Sequence, residues 1–281
     1  MKNAWKWLLA VTSLISVALL VTPFAVYHYF TYAYSRLTED LRAAGQPVYA
    51  SDLAEPKIPD SQNAAYFFMQ AASQVPEPEA TKEAFKRVQE AKTPQEEKAV
   101  LLEWQKKVGD KPALSPEVFR GVALERAQYD IDWTLPAETI KFRHLAELRL
   151  FAQYIYLLAL QDAHAGRMGQ CLEKVHLLYQ LAENRSAPEG YIGFLVFISF
   201  ENMGHRVLQR SLSPADIPED KAVLLTEYLA DRDIHNFFTR VLAVERAMQI
   251  SYLEEIISDV SSSNPSPVPS LASLFIVRSK V

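Results

Sequence analysis

Residues 157–166 read Leu-Leu-Ala-Leu-Gln-Asp-Ala-His-Ala-Gly, and the segment 167–181 that follows is again rich in leucine. Apolar residues recur at steps of three and four on both sides of Gly166, which indicates two helices joined by a tight turn. Glycine favours such a turn because it adopts the left-handed backbone conformation without strain. This helical hairpin predicts an all-α protein.

The chain beyond residue 60 continues the same helical pattern. Only eight glycines occur in 281 residues, and no stretch alternates apolar and polar residues as a half-buried strand does. Capping residues mark helix starts at Asp60, Thr93-Pro94, Ser115-Pro116 and Ser213-Pro214. The periodicity predicts helices over 61–74, 137–165, 168–184, 189–212, 219–230 and 234–260. We therefore predict an irregular helical bundle or a short αα-hairpin solenoid over 60–260.

The N-terminus predicts a membrane anchor. Between Trp7 and Ser35 there is no Asp, Glu, Lys or Arg, and this run exceeds the roughly 20 residues that a helix needs to cross a bilayer. A cleaved signal peptide is the alternative, but the aromatic residues between Phe24 and Tyr34 fit an interfacial belt better than a cleavage site. The predicted organisation is a tail over 1–6, a transmembrane anchor over 7–35, an extended linker over 36–59, the helical domain over 60–260 and a Pro/Ser linker with a short apolar tail over 261–281.

The charges near the anchor bear on its orientation. Lys2 and Lys6 precede the uncharged run and Arg36 and Arg42 follow it, so the positive-inside rule is nearly balanced. We favour a cytoplasmic tail, because the short tail also carries the free amine, and a body on the extracytoplasmic side. In a bacterium this is the inner membrane with a periplasmic body. The net charge of −5 is spread along the chain, which argues against a nucleic-acid partner.

Several features predict core rather than chemistry. The uncharged run Gly190–Phe200 is too short to span a membrane and is typical of a buried central helix. A single cysteine, Cys171, excludes an intramolecular disulfide and is expected to be buried. Aromatic residues at helical spacing are also expected in the core. They are Tyr154, Tyr156, Tyr179, Tyr191, Phe194, Phe197 and Phe200.

Three stretches carry a resemblance to a known family. Lys57–Tyr66, the hairpin at Ala165-Gly166 and Val244–Ala247 resemble an uncharacterised family of bacterial membrane-anchored α-helical proteins, over most of Ile58–Gln249. The hairpin by itself also resembles one helical pair of a tetratricopeptide repeat, although the full repeat pattern is not met and does not recur. The family resemblance implies an anchor, a helical body and a bacterial source, and it supplies no activity.

Glu245 is the first candidate for a functional side chain. It falls inside an apolar stripe of the predicted last helix, where a carboxylate is costly unless it is paired or protonated. It is either a general acid or base, or one half of a buried ion pair with an arginine such as Arg143 or Arg149. The stripe consists of Ile234, Phe238, Val241, Met248 and Tyr252.

Glu201 and His205 form the second candidate group. They lie four residues apart on one helix face, among apolar residues. The pairs Glu173-x-x-His176 and His144-x-x-Glu147 suggest a di-metal bundle, but only the first has the required order, so we predict no metal site. No hydrolase, phosphate-loop or dinucleotide motif occurs, and no motif predicts a cofactor.

Three functions follow from these patterns. The first is a membrane-tethered scaffold that binds a protein partner, because helical hairpins form extended surfaces. The second is an envelope-acting enzyme with Glu201, His205 and Glu245 around a pocket. The third is a module that binds a lipid or another apolar ligand through the segment Phe194–Phe200. The sequence leaves the identity of the partner and the oligomeric state open.

Overall fold

The computed structural model describes residues 2–109, 114–183, 190–211 and 234–263. Within these ranges the chain is all-helical and has no β-strand, which confirms the all-α part of the predicted fold class. The α-helices are α1 (Lys2–Ala43), α2 (Ala64–Ser73), α3 (Pro78–Glu90), α4 (Pro94–Val108), α5 (Glu117–Val122), α6 (Arg143–His164), α7 (Met168–Ala182), α8 (Gly190–Ser211) and α9 (Ile234–Ser263). Short 3-10 turns lie at Ala50–Leu53, Asp60–Gln62 and Ala137–Thr139.

The chain forms two compact units. The terminal unit comprises the described residues of Met1–Asp52, Pro136–Glu138 and Arg246–Val281. The central unit comprises those of Leu53–Leu135 and Thr139–Glu245.

Helix α6 forms the centre of the central unit. Its side chains are apolar around most of the helix circumference, so that a single packed face cannot shield them from water. Leu148, Phe151, Ile155, Tyr156 and Leu160 are all buried. Helices α2, α3, α4, α7 and α8 lie against α6 and provide the required cover.

The predicted helical hairpin is confirmed by α6, α7 and the turn between them. Gly166 adopts a left-handed conformation with φ of +72°. The N–H of Gly166 donates to the carbonyl of Ala163, and the N–H of Arg167 donates to the carbonyl of Asp162. These two bonds satisfy carbonyls at the end of α6 and turn the chain directly into α7.

A second helical pair, α3 and α4, packs on α6. The predicted cap at Thr93 is confirmed, because its side chain accepts the N–H of Glu96 at 3.2 Å and Pro94 occupies the first turn. Trp104 of α4 is buried against α3, where its indole N–H donates to Thr81 at 3.3 Å. The sequence did not lead us to predict α3.

Two helices of the structure begin later in the chain than the sequence predicted. Asp60 begins a 3-10 turn, and Asn63 caps α2 instead, with its side chain accepting the N–H of Ala65 at 3.1 Å. The helix predicted over 137–165 is divided into the turn Ala137–Thr139 and α6. Ser213-Pro214, the predicted helix over 219–230 and residues 264–281 of the predicted tail lie outside the described residues.

The terminal unit pairs the end of α1 with α9. Leu41 of α1 and Ile250 of α9 share a small core with Val48. Tyr34 donates to Glu254 at 2.7 Å, and Arg246 donates to Gln46 at 2.8 Å. Increasing residue numbers on α1 therefore meet decreasing numbers on α9, so the two helices run antiparallel.

The segment predicted as a linker, residues 36–59, contains the last turns of α1 and the 3-10 turn Ala50–Leu53. Helix α1 is continuous for 42 residues. Among the helical residues that the structure describes, none forms a helix that combines the length and hydropathy required for a bilayer crossing.

The crossing of α7 and α8 depends on Gly204. A Cβ atom at this position would lie 2.8 Å from the ring of Tyr179, which is itself fully buried. We therefore expect Gly204→Ala to lower the free energy of unfolding by about 1–3 kcal/mol, because the added methyl group overpacks the interface. Thermal unfolding of the purified full chain, followed by circular dichroism, measures the effect. Gly169→Ala is the control, because a Cβ atom there meets no atom within 4 Å. Equal melting temperatures for the two variants would contradict this interpretation.

Candidate functional site

Helix α8 exposes an apolar face, which corrects the prediction of a buried central helix over Gly190–Phe200. Gly193, Phe197 and Phe200 face the core, as their helical spacing requires. Tyr191, Ile192 and Leu195 lie on the other side and are 50, 60 and 48% exposed. The uncharged run covers both faces of α8 with apolar residues, but only one of them is packed.

The beginning of α9 continues this exposed face within the central unit. The rings of Phe194 on α8 and Phe238 on α9 lie 5.6 Å apart between their centroids. Phe238 and Leu242 are exposed and lie one turn apart. We call the five exposed residues the apolar surface. They are Tyr191, Ile192, Leu195, Phe238 and Leu242.

Glu245 joins the two helices of the apolar surface. One carboxylate oxygen accepts the backbone N–H of Tyr191 at 2.5 Å, in the first turn of α8. Gly190 has φ of +68° and leaves room for this contact, because a Cβ atom there would lie 2.7 Å from the same oxygen. A negative charge at a helix N-terminus satisfies free N–H groups and is favourable to the helix dipole. The structure describes no ion pair between Glu245 and Arg143 or Arg149.

Glu201 and His205 lie elsewhere on α8. Both are half-buried, and the ring of His205 packs edge-on against Tyr179 at 5.4 Å between centroids. Glu201 is eleven residues beyond Gly190, which places it roughly 16 Å, about three turns, along the helix from the end that Glu245 caps. The structure therefore does not gather the three candidates at one end of α8, and a catalytic role for them stays a prediction.

The residues considered as metal ligands are also placed apart. His144 is buried and stacks on Tyr129, with 4.2 Å between ring centroids, whereas Glu147 is exposed. Within the described residues, no three His, Cys, Asp or Glu side chains lie close enough together to hold a metal ion.

A buried carboxylate that the sequence did not reveal connects three helices of the central unit. Glu97 of α4 contacts His164 Nε2 at 2.7 Å through one oxygen and accepts from Arg210 Nη1 at 2.6 Å through the other. Arg210 also donates to the carbonyl of Val88 in α3 at 2.9 Å. Glu97 thus ties α4 to the C-terminal ends of α6 and α8. Each of its oxygens has one charged or polar partner from another helix.

A second buried carboxylate, Asp162, holds the α6–α7 turn. Arg167 donates from two nitrogens to Oδ1, and Lys174 donates to Oδ2 at 2.5 Å. Neither partner is distant in the chain, so this cluster reinforces the hairpin locally. Both cations compensate the cost of removing the carboxylate from water.

Cys171 is fully buried in α7, as predicted. Burial raises the pKa of its thiol from an ordinary value of 9.0 to about 11, and the nearby Asp162 carboxylate adds to this effect. The predicted core positions of Tyr154, Tyr156, Tyr179, Phe197 and Phe200 are confirmed. Tyr191 is exposed and Phe194 is half-buried, because they lie on or beside the outward face of α8.

The role of Glu97 could not be predicted from the sequence, because acidic residues are common in the first turns of helices. Glu96 and Glu97 in the first turns of a helix resemble an acidic helix start, which the dipole alone accounts for. The partners of Glu97 lie 67 and 113 residues away, so only the tertiary fold distinguishes it from Glu96.

Comparison of the chain with protein-family models, with curated proteins and with solved structures finds no match. The fold and the site define this chain as a helical protein with an exposed apolar surface.

The buried cluster around Glu97 yields a prediction about stability. We expect Glu97→Gln to lower the free energy of unfolding by about 2–3 kcal/mol, since Arg210 and His164 lose their charged partner but keep some solvent contact. Denaturant unfolding of the full chain measures the change. Glu103→Gln is the control, because Glu103 pairs with Arg87 at the surface and should contribute little. A larger loss in the control than in Glu97→Gln would contradict the assignment.

The raised pKa of Cys171 predicts a loss of stability at alkaline pH. Between pH 9 and pH 11 the unfolded chain releases the thiol proton while the folded chain keeps it, so stability falls as pH rises through this range. The thiol contributes about 2–3 kcal/mol to this fall, at 1.36 kcal/mol for each pKa unit. Unfolding free energies across this range should therefore fall more steeply for wild type than for Cys171→Ala. Buried Tyr154, with its pKa raised to about 12, adds a fall common to both proteins. Parallel curves would contradict the prediction.

Proposed function

We propose that this protein is a membrane-anchored helical scaffold that binds a protein partner through the apolar surface. The observation that supports the proposal is the exposure of Tyr191, Ile192 and Leu195 beside Phe238 and Leu242. Isolated exposed apolar residues are ordinary, but several of them on two helices that meet through the Phe194–Phe238 ring pair are typical of an interaction site.

The chemistry of the apolar surface suggests the kind of partner. None of its five residues is charged, and two are aromatic, a composition that is enriched in the centres of protein interfaces. Two neighbouring helices that present residues one turn apart suit an amphipathic helix or an extended apolar segment. The bond from Tyr191 to Glu245 holds α8 against α9, which supports a surface formed before the partner arrives.

The anchor is the second part of the proposal. It is supported by the uncharged run Trp7–Ser35 and by its exposed aromatic residues, including Tyr27, Phe30 and Tyr32. Such residues favour the boundary between lipid and water. We propose that the anchor crosses the inner membrane of a bacterium and that the body lies on the periplasmic side.

The enzymatic alternative has weaker support. It requires Glu245 to act together with Glu201 and His205, whereas Glu245 is bonded at the far end of α8. The lipid-binding alternative uses the same apolar surface, so it becomes an outcome of the experiment.

The apolar surface is tested by capture of partners in the native host. Tagged full-length protein is purified in mild detergent, and co-purifying proteins and lipids are identified by mass spectrometry. We expect the double variant Ile192→Ser and Leu195→Ser to reduce capture of a reproducible partner at least about tenfold, since interface centres contribute more than 1 kcal/mol per residue.

The control is Leu102→Ser, because Leu102 is equally exposed on α4, outside the apolar surface. It should capture the partner as wild type does. Equal capture by all three proteins would contradict the assignment of the surface. Specific loss of a lipid instead of a protein would favour the ligand-binding alternative.

A further inference from the structure

Because α1 and α9 are antiparallel, their contacts show which residues of α1 lie at the same height as the C-terminus of α9. Tyr34 and Glu254 are in contact, so residues after Glu254 run back toward the N-terminus of α1. With a rise of about 1.5 Å per residue, Ile257 is level with about Thr31 of α1 and Ser263 is level with about Ala25. The last turns of α9 are therefore level with the aromatic part of the uncharged run.

Both helices expose apolar side chains at this level. Leu253 and Ile257 of α9 lie one turn apart and are 45 and 56% exposed. On α1, Tyr27 and Phe30 continue the face that carries Tyr34, and both are exposed. We call these four exposed residues the apolar edge of the terminal unit: Tyr27 and Phe30 on α1, and Leu253 and Ile257 on α9.

The two glutamates of α9 beside Leu253 (Glu254 and Glu255) both accept hydrogen bonds. Glu254 accepts hydrogen bonds from the hydroxyl groups of Tyr34 at 2.7 Å and Tyr49 at 2.9 Å. Glu255 accepts the backbone N–H of Ala137 at 2.9 Å. The two carboxylates thus find partners on the side that leads toward the core of the terminal unit, and Leu253 and Ile257 remain outward.

We propose that the C-terminal turns of α9, from Leu253 to Ser263, lie in the interfacial layer of the bilayer, with Leu253 and Ile257 in contact with lipid. The inference rests on the anchor proposed above, because the membrane places the aromatic residues of α1 at this depth. Lipid is the occupant that the position favours, since the apolar edge continues the uncharged run into the layer where tyrosine and phenylalanine are enriched. An amphipathic helix that buries its apolar side at this boundary binds through the area it removes from water.

Site-specific fluorescence in vesicles tests the inference. Ile257→Cys and, separately, Leu253→Cys are labelled with the environment-sensitive fluorophore NBD in the full chain. Each is reconstituted in vesicles of phosphatidylethanolamine and phosphatidylglycerol. Nitroxide lipids then quench the fluorophore if it contacts lipid. We expect a blue-shifted emission at both positions, with stronger quenching by a nitroxide near the headgroup than by one deep in the acyl chain.

Three further proteins make the outcomes distinguishable. Gln249→Cys lies on α9 nearer the pairing with Gln46 and is exposed, so it should report water. Val17→Cys lies within the uncharged run and reports the anchor itself. Wild type is the blank, because its only cysteine is buried and protonated and should take up little label.

Each result decides between the two proposals. Quenching at Val17→Cys together with water-like emission at Leu253→Cys and Ile257→Cys would keep the anchor and overturn the inference. Blue-shifted emission without lipid quenching would also overturn it, because the apolar edge would then contact protein, such as a second copy of the chain. Water-like emission at Val17→Cys would overturn the anchor and, with it, the inference. Circular dichroism of every labelled protein confirms that its helices are retained.

Discussion

The central unit depends on one constraint, which is that the middle of α6, residues 151–160, is buried on every side. An amphipathic helix needs one partner surface, but a helix without a polar face must be enclosed. Ile155, Tyr156 and Leu157 are all fully buried, although consecutive residues point about 100° apart around the helix axis. The arrangement of α2, α3, α4, α7 and α8 around α6 is a consequence of this requirement.

Carboxylates determine the relative positions of helices that apolar burial alone does not fix. Apolar contacts are not directional, so they alone do not determine how far one helix slides along another. Glu97 fixes the ends of three helices relative to one another through His164 and Arg210. Glu245 fixes the start of α8 beside α9 through a backbone N–H. In both cases a buried or half-buried charge is tolerated because strong hydrogen bonds replace its hydration.

Much of the fold could be predicted because its signals are local. The turn at Gly166 and the cap at Thr93 are determined by a few neighbouring residues, and the structure contains both. The outward face of α8 could not be predicted, because apolar residues on both sides remove the amphipathic contrast that distinguishes inside from outside. The role of Glu245 also depended on the tertiary fold. The apolar stripe drew attention to Glu245, and the partner that the structure describes for it is a backbone group 54 residues away instead of Arg143 or Arg149.

The state of Cys171 has a consequence for the compartment in which we place the body. An oxidising environment acts on thiolates that solvent and partner sulfurs can reach. The only sulfhydryl of this chain is enclosed in α7 and is held in its protonated form across the physiological range. A protein so built should pass through an oxidising space without mixed disulfides or sulfenic acid, and it needs no reductase to preserve its fold.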